Sequence, residues 1–304
     1  MTPMKKLQIL LAFAVVYIVW GSTHFAVSMV IDTVPPLAAA AMRFLFAGGL
    51  LYGLSRATVR ERPTRAQWRT AWILGALLPG AGNGLLFIAQ QYVSPTIVAL
   101  LVATEPVWIV LLAAGWLGER LRPISWVGII LGSLGIVLLT NPFGVEGAHR
   151  IDLAGAGLVV LATFAWASGS IYARKAATPD SAPLGAGMFM LTGGVILAGI
   201  AALRGEWGAL ASAEISPESL WALFYLIVIG SVLTYSAYSF LSRNVSAGKL
   251  ATYGYVNPVV GLALGGLWAG EVIDTTMLMA SAVIIGGAVL LAMPRPSRPR
   301  TARA

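Results

Sequence analysis

The stretch SPTIVALLVATEPVWIVLLAAGWLGERLRPISWVGIILGSLGIVLL, residues 94–139, decides the fold because residues 246–291 repeat it at a constant shift of 152. The identical positions include Ser94/Ser246, Pro106/Pro258, Leu112/Leu264, Trp116/Trp268, Gly118-Glu119/Gly270-Glu271, Gly135/Gly287 and Val137-Leu138-Leu139/Val289-Leu290-Leu291. A weaker echo pairs Trp20-Gly21-Ser22 with Trp166-Ala167-Ser168. The matched segments are hydrophobic, so the repeat lies in a membrane. A membrane protein made of two related halves usually works at the interface between them, which favours transport.

The composition excludes a water-soluble protein. Of 304 residues, 58% are hydrophobic and 11% are charged, and the mean hydropathy is +0.82. Soluble domains carry about 25% charged residues. The formal charge of +8 is spread over many separate loops, so it does not indicate a nucleic-acid partner. The chain has no cysteine, which excludes disulfides and thiolate metal sites, and we predict neither a cofactor nor a metal.

Apolar runs of about 20 residues, each long enough to cross about 30 Å of hydrocarbon, recur along the chain. We place spans at roughly 7–27, 36–55, 67–90, 95–117, 123–140, 153–173, 183–203, 218–241, 247–269 and 275–293. The first run has no convincing cleavage site, so we expect it to remain as an uncleaved helix. The predicted fold is an all-α membrane protein of ten helices, with repeats at residues 1–142 and 143–304 around a central cavity.

The basic residues predict the orientation. With the N-terminus inside, 17 of the 20 lysines and arginines fall on the inner side, only Arg150 and Arg204 fall outside, and Arg43 lies within a span. Positive charge accumulates on the cytoplasmic side of membrane proteins, so we expect both termini in the cytoplasm. Five spans per half then place the second copy in the opposite direction, which makes the halves inverted repeats.

Several short motifs carry a family resemblance. They are Trp20-Gly21-Ser22-Thr23, Pro35-Pro36, Arg43-Phe44, Gly118-Glu119-Arg120, Arg243-Asn244-Val245-Ser246, Tyr255-Val256-Asn257-Pro258-Val259 and Gly270-Glu271. In this order and spacing the chain resembles the EamA-type ten-helix exporters of the drug/metabolite transporter superfamily. Within it the chain is most similar to the YedA-like inner-membrane exporters and, more distantly, to YddG-like amino-acid exporters. The resemblance implies a basket-like bundle that exports small metabolites, often amino acids.

Three ionisable residues lie within predicted spans, where charge is costly and therefore a candidate for function: His24, Arg43 and Glu105. Arg43 and Glu105 both fall about 12–15 Å below the outer edge, at about 1.5 Å per residue, which suggests that they pair. One interpretation is a structural ion pair. The other is that they hold the two charges of a zwitterionic substrate, or that Glu105 carries a coupling proton. His24 is either a pH-sensitive group or an ordinary hydrogen-bonded histidine.

Polar and aromatic side chains recur at helical spacing, and those facing lipid would lack partners, so we expect them to face inward. The predicted substrate-binding residues are Trp20, His24, Arg43, Asn83, Gln90, Glu105, Trp108, Trp166, Tyr235, Tyr253 and Asn257. Trp20, Trp108, Trp166, Tyr235 and Tyr253 form the proposed aromatic cage, although for any single ring core packing is favoured over substrate contact. Pro106 and Pro258 lie mid-span and are predicted gate hinges.

Other classes of function fit less well. No HExxH or GxSxG motif and no pair of intramembrane aspartates is present, so we do not expect an enzyme. A channel filter usually arises from oligomeric symmetry, whereas inverted halves suit alternating access. A carrier is therefore favoured, and the resemblance implies that it is an inner-membrane exporter of small metabolites. We expect neutral or aromatic amino acids as substrates and a monomer among membrane lipids as the active form. Export of hydrophobic cations, or proton-coupled antiport of other metabolites, is the alternative.

Overall fold

The computed structural model describes residues 3–119, 123–140, 151–245, 253–268, 270 and 273–292, and their regular structure is helical throughout. The helices are α1 (Pro3–Ala14, Val15–Val19 and Trp20–Ile31), α2 (Pro36–Thr58), α3 (Arg65–Gly75, Ala76–Asn83 and Gly84–Ala89), α4 (Pro95–Val102 and Glu105–Leu117), α5 (Pro123–Thr140), α6 (Leu153–Ala173), α7 (Ala182–Leu203), α8 (Pro217–Ile227, Val228–Leu233 and Thr234–Asn244), α9 (Tyr253–Trp268) and α10 (Thr275–Ala292). A short helix, Glu206–Ser212, lies between α7 and α8. Arg120, Arg150, Ser246 and Glu271 lie outside the described residues.

The helices begin and end within about four residues of the predicted spans, except that the predicted start of the ninth span lies outside the described residues. Helices α2, α4, α5 and α8 begin at prolines, which lack the N–H that a helix leaves unpaired at its start. At the other end of α4, Gly118 has a φ of 69°, and its repeat counterpart Gly270 has a φ of 63°. This left-handed conformation is strained for residues with a Cβ, which explains why a glycine stands before the glutamate in both copies.

Seven helices, α1 to α4 and α6 to α8, are long and apolar enough to cross a membrane, and the described parts of α5, α9 and α10 are shorter apolar helices. The large exposed side chains include Leu203, Leu267 and Trp268, as expected for a surface that faces lipid. These features confirm the predicted all-helical membrane fold. That α5, α9 and α10 also cross the membrane stays a prediction.

Helices α2 and α7 form the most extensive contact and run antiparallel. A Cβ added at Gly48 would lie 2.6 Å from the Leu191 backbone nitrogen, and one at Gly187 would lie 2.6 Å from that of Tyr52. The backbones therefore approach each other as closely as glycine allows. Because α2 and α7 are the second helices of the two halves, their antiparallel packing makes the halves inverted repeats.

A carboxylate at each end holds this pair. Glu206, just after α7, accepts hydrogen bonds from the backbone N–H groups of Leu37 and Ala38 at 2.8 and 2.9 Å, at the start of α2. Glu61, just after α2, accepts from the N–H groups of Asp180 and Ser181 at 3.2 and 3.3 Å, just before α7. A negative charge at a helix N-terminus is favourable, so each half stabilises a helix of the other half.

The remaining contacts repeat in both halves. Helix α3 packs on α6 as α8 packs on α1, and α4 packs on α6 as α9 packs on α1. Helices α5 and α10 pack against each other at the end of the two repeats, and α4 packs against α9. This arrangement leaves a cavity between the halves, bordered by α1, α2, α3, α4, α6, α8 and α9.

Three helices widen into a π-helical segment beside this cavity: Val15–Val19 in α1, Ala76–Asn83 in α3 and Val228–Leu233 in α8. The segments of α3 and α8 begin 152 residues apart, which is the shift of the sequence repeat. A π-helical turn widens the backbone by one residue and is frequent at functional sites. The sequence did not predict these segments.

Each π-helical segment has a carbonyl that a polar side chain satisfies. Asn83 Nδ2 donates to the Leu78 carbonyl at 3.3 Å, and Thr234 Oγ1 donates to the Ile229 carbonyl at 2.6 Å. In α1, the carbonyl of Tyr17 accepts from the amide of Asn257 at 3.1 Å when that amide is oriented with its nitrogen toward it. In α1 and α8 these bonds add to backbone hydrogen bonds, because the Tyr17 carbonyl also accepts from the Trp20 N–H and the Ile229 carbonyl from the Thr234 N–H.

Candidate functional site: a cavity between the halves

The cavity brings together nine of the eleven residues predicted to bind substrate. Its lining consists of Trp20, Thr23, His24, Arg43, Phe44, Gly82, Asn83, Leu86, Val102, Glu105, Ala162, Thr163, Trp166, Tyr235, Tyr253 and Asn257. All three ionisable residues predicted within the spans therefore border one space. Their role in binding a substrate stays a prediction.

Gln90 and Trp108 do not line this cavity, which corrects their predicted place. Gln90 follows the last residue of α3 and is buried, and its amide nitrogen and oxygen have no hydrogen-bond partner among the described residues. The ring of Trp108 lies 5.4 Å from that of Phe164, edge to face, so it packs toward α6. That either residue contacts a substrate stays a prediction.

Arg43 is 5% exposed and is held by helix α8. Its Nε donates to Ser231 Oγ at 3.1 Å, and its Cζ lies 5.0 Å from the centre of the neighbouring Phe44 ring. The Nη groups of Arg43 form no hydrogen bond with a described residue. The Nε edge of the guanidinium is thus fixed by Ser231, and the Nη groups are available to the cavity.

Glu105 is the first residue of the second segment of α4, directly after a break at Ala103 and Thr104. It forms no hydrogen bond and no ion pair with any described residue. At the break, both the N–H and the hydroxyl of Thr104 donate to the Leu101 carbonyl of the preceding segment, at 3.0 and 2.6 Å. This tight turn places Glu105 at a helix start that borders the cavity.

The predicted ion pair between Arg43 and Glu105 is not formed. No nitrogen of Arg43 lies within 4.0 Å of a Glu105 oxygen, and the ion pairs found in the described part of the chain are Arg174–Glu119 and Arg204–Glu206. The prediction used depth alone, and depth does not specify which helices are neighbours. Helix α2 packs mainly on α7, whereas the second segment of α4 packs mainly on α6.

His24 also borders the cavity and makes no hydrogen bond to a described residue. The interpretation of an ordinary hydrogen-bonded histidine therefore receives no support from the described contacts. Whether His24 senses pH stays a prediction. Replacement by glutamine with an unchanged pH profile of transport would exclude that role.

Three of the five residues of the predicted aromatic cage form one cluster, and the cage is not closed. The Trp20 ring lies 5.3 Å from that of Tyr235, 5.4 Å from that of Tyr238 and 5.2 Å from that of Tyr253. Trp166 borders the cavity from α6, where it contacts Gly82 of α3. The cavity therefore has an aromatic wall from α1, α8 and α9 and a separate indole on α6.

Sequence reasoning missed several lining residues. Thr23 and Phe44 belong to the motifs Trp20-Gly21-Ser22-Thr23 and Arg43-Phe44, so their motifs held a usable signal. Gly82 adjoins the predicted residue Asn83. The apolar lining residues Leu86, Val102 and Ala162 have no feature that separates them from residues that face lipid.

The two predicted hinge prolines differ in structure. Pro106 follows the break in α4, whereas Pro258 lies inside the continuous helix α9. Their role in gating stays a prediction.

Comparisons with known proteins agree with this architecture. The EamA-like transporter family matches residues 7–141 and again residues 153–293. The chain is 34% identical over 292 residues to the uncharacterized inner membrane transporter YedA of Escherichia coli K12, covering 95% of this chain and 92% of that protein. It is 28% identical to the protein PecM of Dickeya dadantii, over 92% of this chain and 93% of PecM. A protein of known crystal structure, 20% identical in sequence, has the same fold. The alignment covers 93% of this chain and 94% of that protein's chain, with a TM-score of 0.64. These matches confirm the predicted resemblance, and the chain belongs to the EamA-like transporter family of membrane transporters.

Proposed function

We propose that this transporter exports small zwitterionic metabolites, with neutral and aromatic amino acids as its substrates, by alternating access across the inner membrane. The observation that carries the proposal is that Arg43 and Glu105 border the same cavity without pairing with each other. A charge buried in a membrane protein without a partner is unfavourable. An amino acid supplies a carboxylate for the guanidinium and an ammonium group for the carboxylate.

The aromatic wall supports the same substrate class. Trp20, Tyr235 and Tyr253 border the cavity with aromatic rings. The ring centres of Tyr235 and Tyr253 lie 5.3 and 5.2 Å from that of Trp20. Binding pockets for small molecules are mostly apolar with a few polar groups that fix orientation. The two charges would fix the backbone of the amino acid, and the rings would contact its side chain.

The inverted repeats support alternating access. Two halves related by inversion can open the same central site to either side with similar energy. The one-sided distribution of basic residues favours cytoplasmic termini. Since the chain has no native cysteine, single cysteines placed near each end, labelled with a membrane-impermeant reagent, test this orientation. We further propose that one chain, which contains both halves, is the functional unit.

A hydrophobic cation is the second candidate substrate. Glu105 has no partner among the described residues, and aromatic faces attract cations. In that case Glu105 and the aromatic wall would suffice, and Arg43 would serve the structure only. The effect of replacing Arg43 therefore separates the two candidates.

The test is counterflow in liposomes that contain the purified protein. Labelled leucine, phenylalanine and tetraphenylphosphonium are compared, with protein-free liposomes as the control. Saturable exchange of an amino acid, blocked by excess unlabelled substrate, is the expected result. Exchange of tetraphenylphosphonium alone would reject the amino-acid proposal and support the second candidate. Flux that does not saturate would indicate a channel.

A further inference from the structure

The π-helical segment Val228–Leu233 of α8 forms a seat for the Arg43 side chain. Ser231 lies in this segment and is fully buried. Its hydroxyl oxygen accepts the hydrogen bond from Arg43 Nε at 3.1 Å. The turn itself is closed by Thr234, whose hydroxyl donates to the Ile229 carbonyl at 2.6 Å. The backbone of α8 thus holds Ser231 beside Nε of the guanidinium, and Ser231 forms no hydrogen bond with the Nη groups.

The residue before Ser231 leaves room for the guanidinium. A Cβ added at Gly230 would lie 3.3 Å from Thr23 Cγ2 and 3.7 Å from Arg43 Nη2. Thr23 and Arg43 both border the cavity. The backbone of α8 therefore runs directly beside the guanidinium, and a larger residue at position 230 would press on the cavity wall.

We propose that Ser231 is a positioning residue that fixes the Arg43 guanidinium so that its Nη groups bind the substrate carboxylate. The inference rests on the proposed function and adds a specificity determinant to it. A guanidinium presents its N–H donors in a planar fork that matches a carboxylate in two parallel hydrogen bonds. Binding in this mode requires that the plane of the fork be fixed. A hydrogen bond at Nε fixes this plane and leaves the N–H donors of the two Nη groups for the substrate carboxylate.

The chemistry predicts which ligands depend on Ser231. A ligand with a carboxylate uses the oriented fork, whereas an amine of the same shape without a carboxylate does not. Phenylalanine and phenethylamine form such a pair, because they differ only in the carboxylate. Loss of the Ser231 hydroxyl should therefore weaken the binding of phenylalanine and leave the binding of phenethylamine unchanged.

The experiment measures counterflow of both ligands by wild type, Ser231→Ala and Ser236→Ala. Ser236 lies on the same helix with an exposed side chain that donates to the Val232 carbonyl, so it is a matched control. We expect Ser231→Ala to raise the KM for phenylalanine about tenfold, the effect of losing one hydrogen bond to a charged group, with kcat unchanged. The inhibition constant of phenethylamine, measured as a competitor, should stay the same, and Ser236→Ala should behave as wild type.

A double variant tests whether Ser231 acts through Arg43. If it does, Arg43→Gln/Ser231→Ala should bind phenylalanine no more weakly than Arg43→Gln alone. If Ser231→Ala does not fold, Ser231→Cys, with a similar size and a much weaker acceptor, should give the same rise in KM for phenylalanine only.

Three results would overturn the inference. An unchanged KM for phenylalanine in the folded Ser231 variants would show that the bond has no role in binding. An equal loss for both ligands, or a fall in kcat alone, would indicate a structural role. If wild type exchanges no amino acid, the proposed function fails and the inference fails with it. In the first two cases wild-type exchange is intact, so the proposed function stands.

Discussion

Helices α4 and α9 are copies of one sequence element, and they have different structures. Glu105-Pro106 in α4 matches Asn257-Pro258 in α9 at the shift of 152. Helix α4 breaks just before this pair, at Ala103 and Thr104, whereas α9 continues from Tyr253 to Trp268 through its proline. A proline in the middle of a helix is therefore not sufficient to break it, and the neighbouring side chains decide the outcome.

Two neighbours explain the difference. Thr104 binds the Leu101 carbonyl through its hydroxyl and its N–H, which tightens the turn before the proline, and its counterpart Val256 has no hydroxyl. With its amide oriented as above, Asn257 donates to the Tyr253 carbonyl at 3.2 Å and to the Tyr17 carbonyl at 3.1 Å. An ionised carboxylate has no donor, so Glu105 cannot make such bonds.

The comparison shows how a duplicated element can divide two tasks. In α9 the asparagine also borders the cavity, but it joins the helix to the π-helical segment of α1 and so supports the bundle. In α4 the glutamate has no partner among the described residues and borders the cavity, where a substrate can reach it. The following variants test this division, beginning with the largest expected effect.

Replacing Asn257 with leucine should destabilise the protein most. The carbonyls of Tyr17 and Tyr253 would each lose the side-chain hydrogen bond, while the Tyr17 carbonyl keeps the Trp20 N–H as a donor. At about 0.5–1.5 kcal/mol per hydrogen bond, we expect a loss of about 1–3 kcal/mol in the free energy of unfolding, measured by denaturant titration in mixed micelles. Val259→Leu, at an exposed position of the same helix, is the control. Equal stability of the two variants would mean that Asn257 does not support α1.

Replacing Glu105 with asparagine makes α4 resemble α9 at this position. The substrate ammonium would lose its charged partner, so kcat/KM for phenylalanine should fall by about 10- to 100-fold, as expected for the loss of a charged hydrogen bond. Counterflow provides this measurement, and the free energy of unfolding should not decrease, because Glu105 has no described partner to lose. A normal rate of exchange would remove Glu105 from the binding site.

The two prolines should differ in their effect on the rate. If the break in α4 is a hinge, Pro106→Ala should restore a helix hydrogen bond across it and lower kcat by about three- to tenfold, because a stiffer helix opposes the opening of the gate. Pro258→Ala, in the continuous helix, should change kcat by less than about twofold. Rapid-mixing counterflow at saturating substrate compares the two. Normal transport by Pro106→Ala would reject the hinge.

The sequence predicted the parts of this structure that depend on local chemistry and on repetition. The helix starts at or next to Pro36, Pro95, Pro123 and Pro217 and nine cavity residues were predicted in this way, and the repeat marked Gly118 and Gly270 as equivalent positions. Hydrophobic runs and helical spacing are properties of one segment at a time, so they can be read without knowing its neighbours.

The rest depends on which segments meet. The π-helical segment of α1 accepts a hydrogen bond from Asn257, which lies on α9 and is distant in the sequence. Arg43 binds Ser231, which is 188 positions away, instead of the predicted Glu105. Trp108 packs on Phe164 of α6, a helix that the spacing within α4 does not identify. Position along a span gives depth, but a contact also requires the order of the helices around the bundle.

The reciprocal carboxylates at the ends of α2 and α7 determine how the two halves meet. Glu206 binds the start of α2, and Glu61 binds the residues before α7, so each half supplies a carboxylate to the other. Such self-complementary contacts are those of an isologous interface between two identical subunits. The two halves of one chain are therefore joined as the two subunits of a symmetric dimer are, although Glu105 and Asn257 show that they are no longer identical.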